Sequence, residues 1–211
     1  MTVSPTTTTI DSAAPPRMAA VAGEDVDVFE KRLILDAKDG CQDSFRILVE
    51  RHEEAVFAFS YQLLGCSEDA REACQDTFVR AYNALPGYKP RARFSTWLFR
   101  IALNLCRDRM RARSTQKRVA RADFSASASQ VDGACPRPCP DESLTLAEDL
   151  NKLSRGLSQL PPDLREALVL VGVEGLAYRE CAAIMGCTLR AVEGRVYRAR
   201  RMLLDWWNRE A

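Results

Sequence analysis

Five arginines, Arg190, Arg195, Arg198, Arg200 and Arg201, fall within the stretch GCTLRAVEGRVYRARRM, Gly186 to Met202, of a 211-residue chain whose formal net charge is only +1. Charge gathered this way suits a polyanion. A guanidinium fork matches the edge of guanine, and its charge meets phosphate. Glu193, in the same stretch, can accept a hydrogen bond from cytosine. A second basic block runs through YKPRARFSTWLFRIALNLCRDRMRARSTQKR, from Tyr88 to Arg118, with Asp108 as its single acid. Arg93, Arg100 and Arg107 stand there among Tyr88, Phe94, Trp97 and Phe99. Rings interleaved with cations suit opened nucleic acid, because bases stack on rings while phosphates meet charge. For Trp97 and Phe99 the plainer reading is a place in the core of an amphipathic helix. For the basic faces it is solvation. Uncompensated positive charge repels itself without a polyanionic partner, which argues against the bland reading of the basic block.

Thiol chemistry is the other possibility. The eight cysteines include no CxxC pair. Cys135 and Cys139 stand four apart in CPRPC, with no apolar neighbours to bury them. They are the candidate pair for a soft metal, or for reaction with an oxidant, with Cys181 or Cys187 able to complete a site. Cys41, Cys66, Cys74, Cys106 and Cys181 read as small buried hydrophobes. His52 lies on an apolar helix stripe and reads as a core or boundary residue. No catalytic triad, paired-carboxylate site, phosphate loop or HExxH is present. The expectation is a protein that is not an enzyme, with no cofactor and no catalytic residue.

Those side chains need elements to carry them, and the periodicity is helical almost throughout. Residues 1–25 are rich in Thr, Ala and Pro and read as a disordered leader, not a secretory signal. No apolar run approaches the ~18–20 residues of a membrane span, so a cytoplasmic protein without membrane contact is expected. Phe45, Leu48, Val49, His52, Val56, Phe59 and Leu63 recur at helical steps until Gly65. A second helix opens near Ser67, read as an N-cap, and stops at Pro86 and Gly87. A third covers FSTWLFRIALNLCRDRMRAR, apolar on one face and basic on the other. From residue 114 to 143 a Ser-, Ala- and Pro-rich stretch reads as a linker, and helical patterning resumes over 144–208. The chain is therefore expected to be all-α, with two small helical domains, 26–113 and 144–208, on a flexible tether.

The arginine-rich stretch then has a specific context. Tyr178–Met185 reads as a first helix, Gly186 and Cys187 as a tight turn, and Thr188 as the cap of a second helix. Ala182 is small where the helices cross. Ile184, Leu189, Val192 and Val196 read as buried, which leaves the arginines outside. This is a helix-turn-helix, whose second helix meets base edges through its N-terminal half.

Three motifs in order resemble those of the bacterial RNA polymerase sigma factors of the extracytoplasmic-function class, in the sigma-70 family. DAREACQDTFVRAY, Asp69 to Tyr82, resembles region 2.2. FSTWLFRIALNLCRDRMR, Phe94 to Arg111, resembles regions 2.3 and 2.4. LPPDLREALVLVGVEGLAYRECAAIMGCTLRAVEGRVYRARRML resembles region 4. The resemblance implies that Glu72, Gln75, Asp76 and Phe78 bind core RNA polymerase. It implies that Arg93, Trp97, Arg100, Asn104 and Arg107 neighbour the minus-ten element of promoter DNA. It implies that the helix bearing Arg190, Glu193, Arg195, Arg198 and Arg201 reads the minus-thirty-five element. An anti-sigma factor is a further family expectation. Cys181, Arg190-Ala191, Glu193 and Gly194 depart from the usual family residues, so the sequence read by the helix stays open. Two rival readings are a free-standing helix-turn-helix regulator and a thiol or metal sensor. The first leaves the acidic motif at Asp69–Asp76 unexplained and lacks a dimerisation helix.

Overall fold

The computed structural model describes residues 23–89, 93–123 and 152–210, with side chains over 28–89, 93–115 and 152–210. Most of the leader, the linker centre and the Cys135–Cys139 pair lie outside the described residues. Within them every regular element is a helix and no strand occurs. No helix among them is long and apolar enough to cross a membrane.

The first half is a bundle of α1 (Gly23–Lys38), α2 (Gln42–Leu64), α3 (Ser67–Ala84) and α4 (Phe94–Asp123), with a short 3-10 turn at Leu85–Gly87. Gly65 ends α2 in the left-handed conformation at φ 67°, with its N–H on the Tyr61 carbonyl. Leu48, Val56, Phe59 and Leu63 of α2 are fully buried against Leu98, Ala102 and Leu103 of α4. Helix α1 adds Leu33, Ile34 and Ala37 to the same core. Two expectations shift. Cys66, not Ser67, occupies the N-cap position of α3, and no side chain caps it. Helix α4 continues to Asp123, past the boundary drawn at residue 113. Alanine and arginine in its last turns favour helix, and a composition poor in apolar residues does not prevent it.

The second half holds a helix over 152–158, called α5, then α6 (Pro162–Leu168), α7 (Tyr178–Met185) and α8 (Leu189–Arg209). Helix α6 widens into a π turn at Val169–Val173. Gly156 of α5 lies so close to α8 that a Cβ there would stand 2.6 Å from Leu203 Cδ1 and 2.8 Å from the Trp206 ring. The two halves share one continuous apolar core, in which Leu164, Leu168 and Cys181 join the residues of α2 and α4.

Candidate nucleic-acid and polymerase interfaces

The turn between α7 and α8 is built as its residue types require. Gly186 takes φ 66°, a left-handed conformation that costs a side-chain-bearing residue energy. Thr188 Oγ1 accepts from the Ala191 N–H at 3.2 Å and caps α8. Ile184, Val192 and Val196 are buried. Leu189, expected inside, is 38% exposed, because it opens α8 before the helix meets the core. On α8 the exposed residues Arg190, Glu193, Gly194, Tyr197, Arg198 and Arg201 recur at three- and four-residue steps and form one stripe. Tyr197, which sequence reading passed over, is 68% exposed near its middle. Its spacing from Arg190 and Arg201 was the available signal. Arg195 is off this stripe. It is partly buried, with Nε 3.4 Å from Asp163 Oδ2 and Nη1 on the Cys187 sulfur at 3.2 Å, so it braces the turn.

A second stripe runs along α4. Arg93 precedes its first turn, and Trp97, Arg100, Asn104, Arg107 and Arg111 follow at steps of three and four. Arg93, Arg100, Asn104 and Arg111 are exposed. Trp97 is half-buried in a cluster with Tyr88 at 4.8 Å and Phe94 at 5.5 Å between ring centroids. Arg107 is engaged inside the protein. Its Nε and Nη2 donate to both Glu166 oxygens, at 3.0 and 2.6 Å. Hydrogen bonding by Glu166 holds the Arg107 pKa above the ordinary arginine value. Nothing in the sequence signals this pair, because its partners lie 59 residues apart.

Helix α3 presents Glu72, Gln75, Asp76 and Val79 to solvent on one face. Phe78 differs from expectation: it is 8% exposed and belongs to the core, so it supports the face from beneath. Arg109 of α4 fixes the acids, with Nη1 2.8 Å from Glu72 and Nη2 2.8 Å from Asp76. Arg113 pairs with Asp69 one turn further on. The acidic face is thus tied to the helix that carries the basic stripe.

Among the described residues, no group of three or more His, Cys, Asp or Glu could hold a metal ion. The six described cysteines are free thiols. Cys74, Cys106 and Cys181 are buried, and burial pushes each thiol up to about 11. Cys41 is exposed and Cys66 half-buried, contrary to expectation, because both sit before a helix start and not on an apolar face. Hydrogen bonding from Ser44 lowers the Cys41 thiol pKa. His52 is a boundary residue, as expected, with Nε2 3.2 Å from Glu30 Oε2 and its ring against Phe94.

Comparison with known proteins bears on these surfaces. The family model for sigma-70 region 2 matches residues 48–116, and that for sigma-70 region 4 matches residues 150–203. The chain is 32% identical over 173 residues to the ECF RNA polymerase sigma-E factor of Escherichia coli strain K12, covering 81% of this chain and 90% of that one. It is 35% identical over 176 residues to the RNA polymerase sigma factor CnrH of Cupriavidus metallidurans, covering 82% and 92%. Among solved structures it resembles CnrH in complex with the cytosolic domain of CnrY, with a TM-score of 0.65, 29% identity and coverage of 87% and 99%. It also resembles the sigma factor RpoE in complex with the anti-sigma factor NepR from Bartonella quintana, with a TM-score of 0.64, 28% identity and coverage of 78% and 96%.

Proposed function

The chain belongs to the extracytoplasmic-function class of sigma-70-family RNA polymerase sigma factors, and from that membership we propose how its surfaces divide the work of promoter-directed initiation. The α3 face of Glu72, Gln75 and Asp76 docks on core polymerase, with Phe78 supporting it from the core. The α4 stripe of Arg93, Trp97, Arg100, Asn104 and Arg107 meets the minus-ten element. The α8 stripe of Arg190, Glu193, Arg198 and Arg201, with Tyr197 and Gly194 added, reads the minus-thirty-five element. Arg195 holds the turn that aims this stripe. The chain acts in the cytoplasm with polymerase, which supplies the catalysis. The solved relatives bound to CnrY and NepR support a further partner, an anti-sigma protein.

One observation carries the reading: a capped helix behind a glycine turn exposes cations and a carboxylate on one stripe while its valines are buried. Reconstitution with core polymerase, followed by sequencing of transcript starts, tests it. Within that assay Arg190→Ala and Arg201→Ala have different signatures. Arg190 is at the helix N-terminus, which enters the groove, and losing a base contact costs ~1–3 kcal/mol and broadens the tolerated sequences. Arg201 is three turns on and suits a phosphate. Its loss weakens all sequences alike and makes the salt slope shallower by about one. Unchanged sequence preference in both variants would reduce the stripe to an electrostatic clamp.

A further inference from the structure

The turn that aims α8 holds two thiols. Cys181 is fully buried in α7, and Cys187 is half-buried just after Gly186. Gly186 ends α7 in the left-handed conformation, and the chain folds back so that the Cys187 N–H bonds to the Ala182 carbonyl at 3.0 Å. At a helix end of this kind the residue after the glycine packs onto the helix roughly five or six positions earlier. Cys181 stands at that place, and Cys187 packs against the core to which it belongs. Burial first, then charge on Glu180 and Cys187, pushes the Cys181 thiol up to about 11, so the two thiols are within electrostatic reach of each other.

The surroundings of Cys187 suit an anion. Arg195 Nη1 donates to its sulfur at 3.2 Å, while Arg195 Nε stays 3.4 Å from Asp163 Oδ2. Arg107, held mainly by Glu166, also feels the charge of Cys187. Two guanidinium groups repel a divalent metal, and no group of three or more metal-ligating residues occurs among the described residues. Guanidinium donors do stabilise oxygen anions, such as the hydroxide that leaves when a thiolate attacks a peroxide. Gly186 and Thr188 on either side are exposed, so a small oxidant reaches the turn. Cys41 is more exposed, but the group bonded to its sulfur is the Ser44 hydroxyl and not a second thiol.

We propose that Cys187 and Cys181 form a reversible disulfide on exposure to a hydroperoxide, and that this bond spoils the aim of α8 at the minus-thirty-five element. The proposal rests on the reading of α8 as the helix that meets that element. Cys187, as the thiolate, attacks one peroxide oxygen. A sulfur–oxygen bond forms, the oxygen–oxygen bond breaks, and hydroxide leaves as water with the proton that Cys187 had lost. The sulfur of Cys181 then attacks the sulfenic acid on Cys187. A sulfur–sulfur bond forms, the sulfur–oxygen bond breaks, and the second hydroxide leaves as water with the proton of Cys181. Two electrons have passed from the thiols to the peroxide. Cys187 reacts first, because Cys181 is fully buried and its thiol is held protonated. Bonding to a buried sulfur draws Cys187 inward, away from Arg195. Arg195 then keeps Asp163 alone, and the turn that it braces shifts at the entrance to α8.

The test treats the full chain with hydrogen peroxide, removes the excess with catalase, and then assembles the chain with core polymerase, so that only this chain meets the oxidant. Trypsin releases Cys181 and Cys187 in one peptide, Glu180 to Arg190, because no Lys or Arg separates them. The disulfide makes that peptide lighter by two hydrogens, whereas oxidation of Met185 makes it heavier by an oxygen. The lighter peptide is expected to form. Transcript output from genomic DNA of the source organism is expected to fall by about tenfold, the loss of one base contact, and to return with dithiothreitol. Cys187→Ser, whose hydroxyl still accepts from Arg195, and Cys181→Ala are expected to keep their output after peroxide. Cys41→Ser, and Cys135→Ser with Cys139→Ser, are expected to lose output as the parent does. Circular dichroism and thermal melts establish that each variant is folded. The proposal is overturned if the lighter peptide does not form, if output is indifferent to it, or if sensitivity persists in Cys187→Ser or vanishes with Cys135 and Cys139. Failure of the underlying reading looks different: untreated Arg190→Ala and Arg201→Ala would transcribe from the same starts and at the same level as the parent, whatever the thiols do.

Discussion

Gly194 sits in the interior of α8, where glycine weakens a helix by about 1 kcal/mol relative to alanine. Outside its own stretch of helix backbone and its chain neighbours, no atom lies within 4 Å of where its Cβ would stand, so packing does not require glycine there. It lies on the exposed stripe between Arg190 and Tyr197, and absence of a side chain lets a partner approach the helix closely. Gly194→Ala is therefore expected to raise the melting temperature by a few degrees while weakening promoter binding in the reconstituted assay. Equal or tighter binding would remove close approach as the reason for the glycine. A second prediction at this scale concerns thiols. Cys41 is exposed with a lowered pKa, whereas Cys74, Cys106 and Cys181 are buried and raised to about 11. Of the six described cysteines, Cys41 is expected to react first with iodoacetamide at about pH 7.5, since the thiolate is the nucleophile. Peptide mapping over time reads the order, and modification of Cys106 before Cys41 would contradict it.

Individual helices were legible in the sequence wherever one face had to be apolar. The alternation of Val192 and Val196 with Arg190 and Arg201 already separates the inside of α8 from its outside, and Gly186 and Thr188 mark its start. What failed were residues at the edge of a face or buried by another element. Arg195 is one step from the stripe and next to Val196, so small rotations decide its side. Phe78 was grouped with its acidic neighbours although an aromatic in an amphipathic helix is usually core. Glu166 could not be found, because its burial depends on helices of the other half. Burial also has an effect at Glu174, which follows the π turn. Desolvation pushes its carboxyl from the ordinary 4.5 to about 7. The folded state holds that proton more tightly than the unfolded chain, so stability falls as pH rises from 4.5 through about 7. Glu174→Gln is expected to be more stable than the parent by about 1–3 kcal/mol at pH 8, half-burial having reduced the full effect. The gap should close as pH falls to 4.5. Urea melts across this range measure it, and a pH-independent gap would point to a change in packing and not to the proton.

At the scale of the molecule, a net charge of +1 conceals segregation: basic stripes on α4 and α8, an acidic face on α3. The acids are tied to α4 by Arg109 and Arg113, and the two halves by Arg107–Glu166. Beneath these pairs the apolar core is continuous from Leu48 and Leu98 to Leu164 and Val192. Sequence reading expected two helical domains joined by a linker, and the separate region 2 and region 4 matches bear that out, but periodicity carries no information on whether their helical faces meet each other or water. A shared core has a thermodynamic consequence that a tether does not. The free chain is expected to unfold in a single transition, with a ratio of calorimetric to van't Hoff enthalpy of about 1. Leu98 is fully buried in the first half and Val192 in the second. Leu98→Ala leaves a cavity at a cost of about 2–5 kcal/mol, which for a protein of this size lowers the melting temperature by about 2–4 °C per kcal/mol. Val192→Ala removes less volume and has a smaller effect. Each substitution should move the whole transition, including the part reported by the opposite half. Differential scanning calorimetry on the parent and both variants decides the matter. Two transitions, with Leu98→Ala displacing only one, would mean that the halves unfold independently and that their shared packing contributes little to stability.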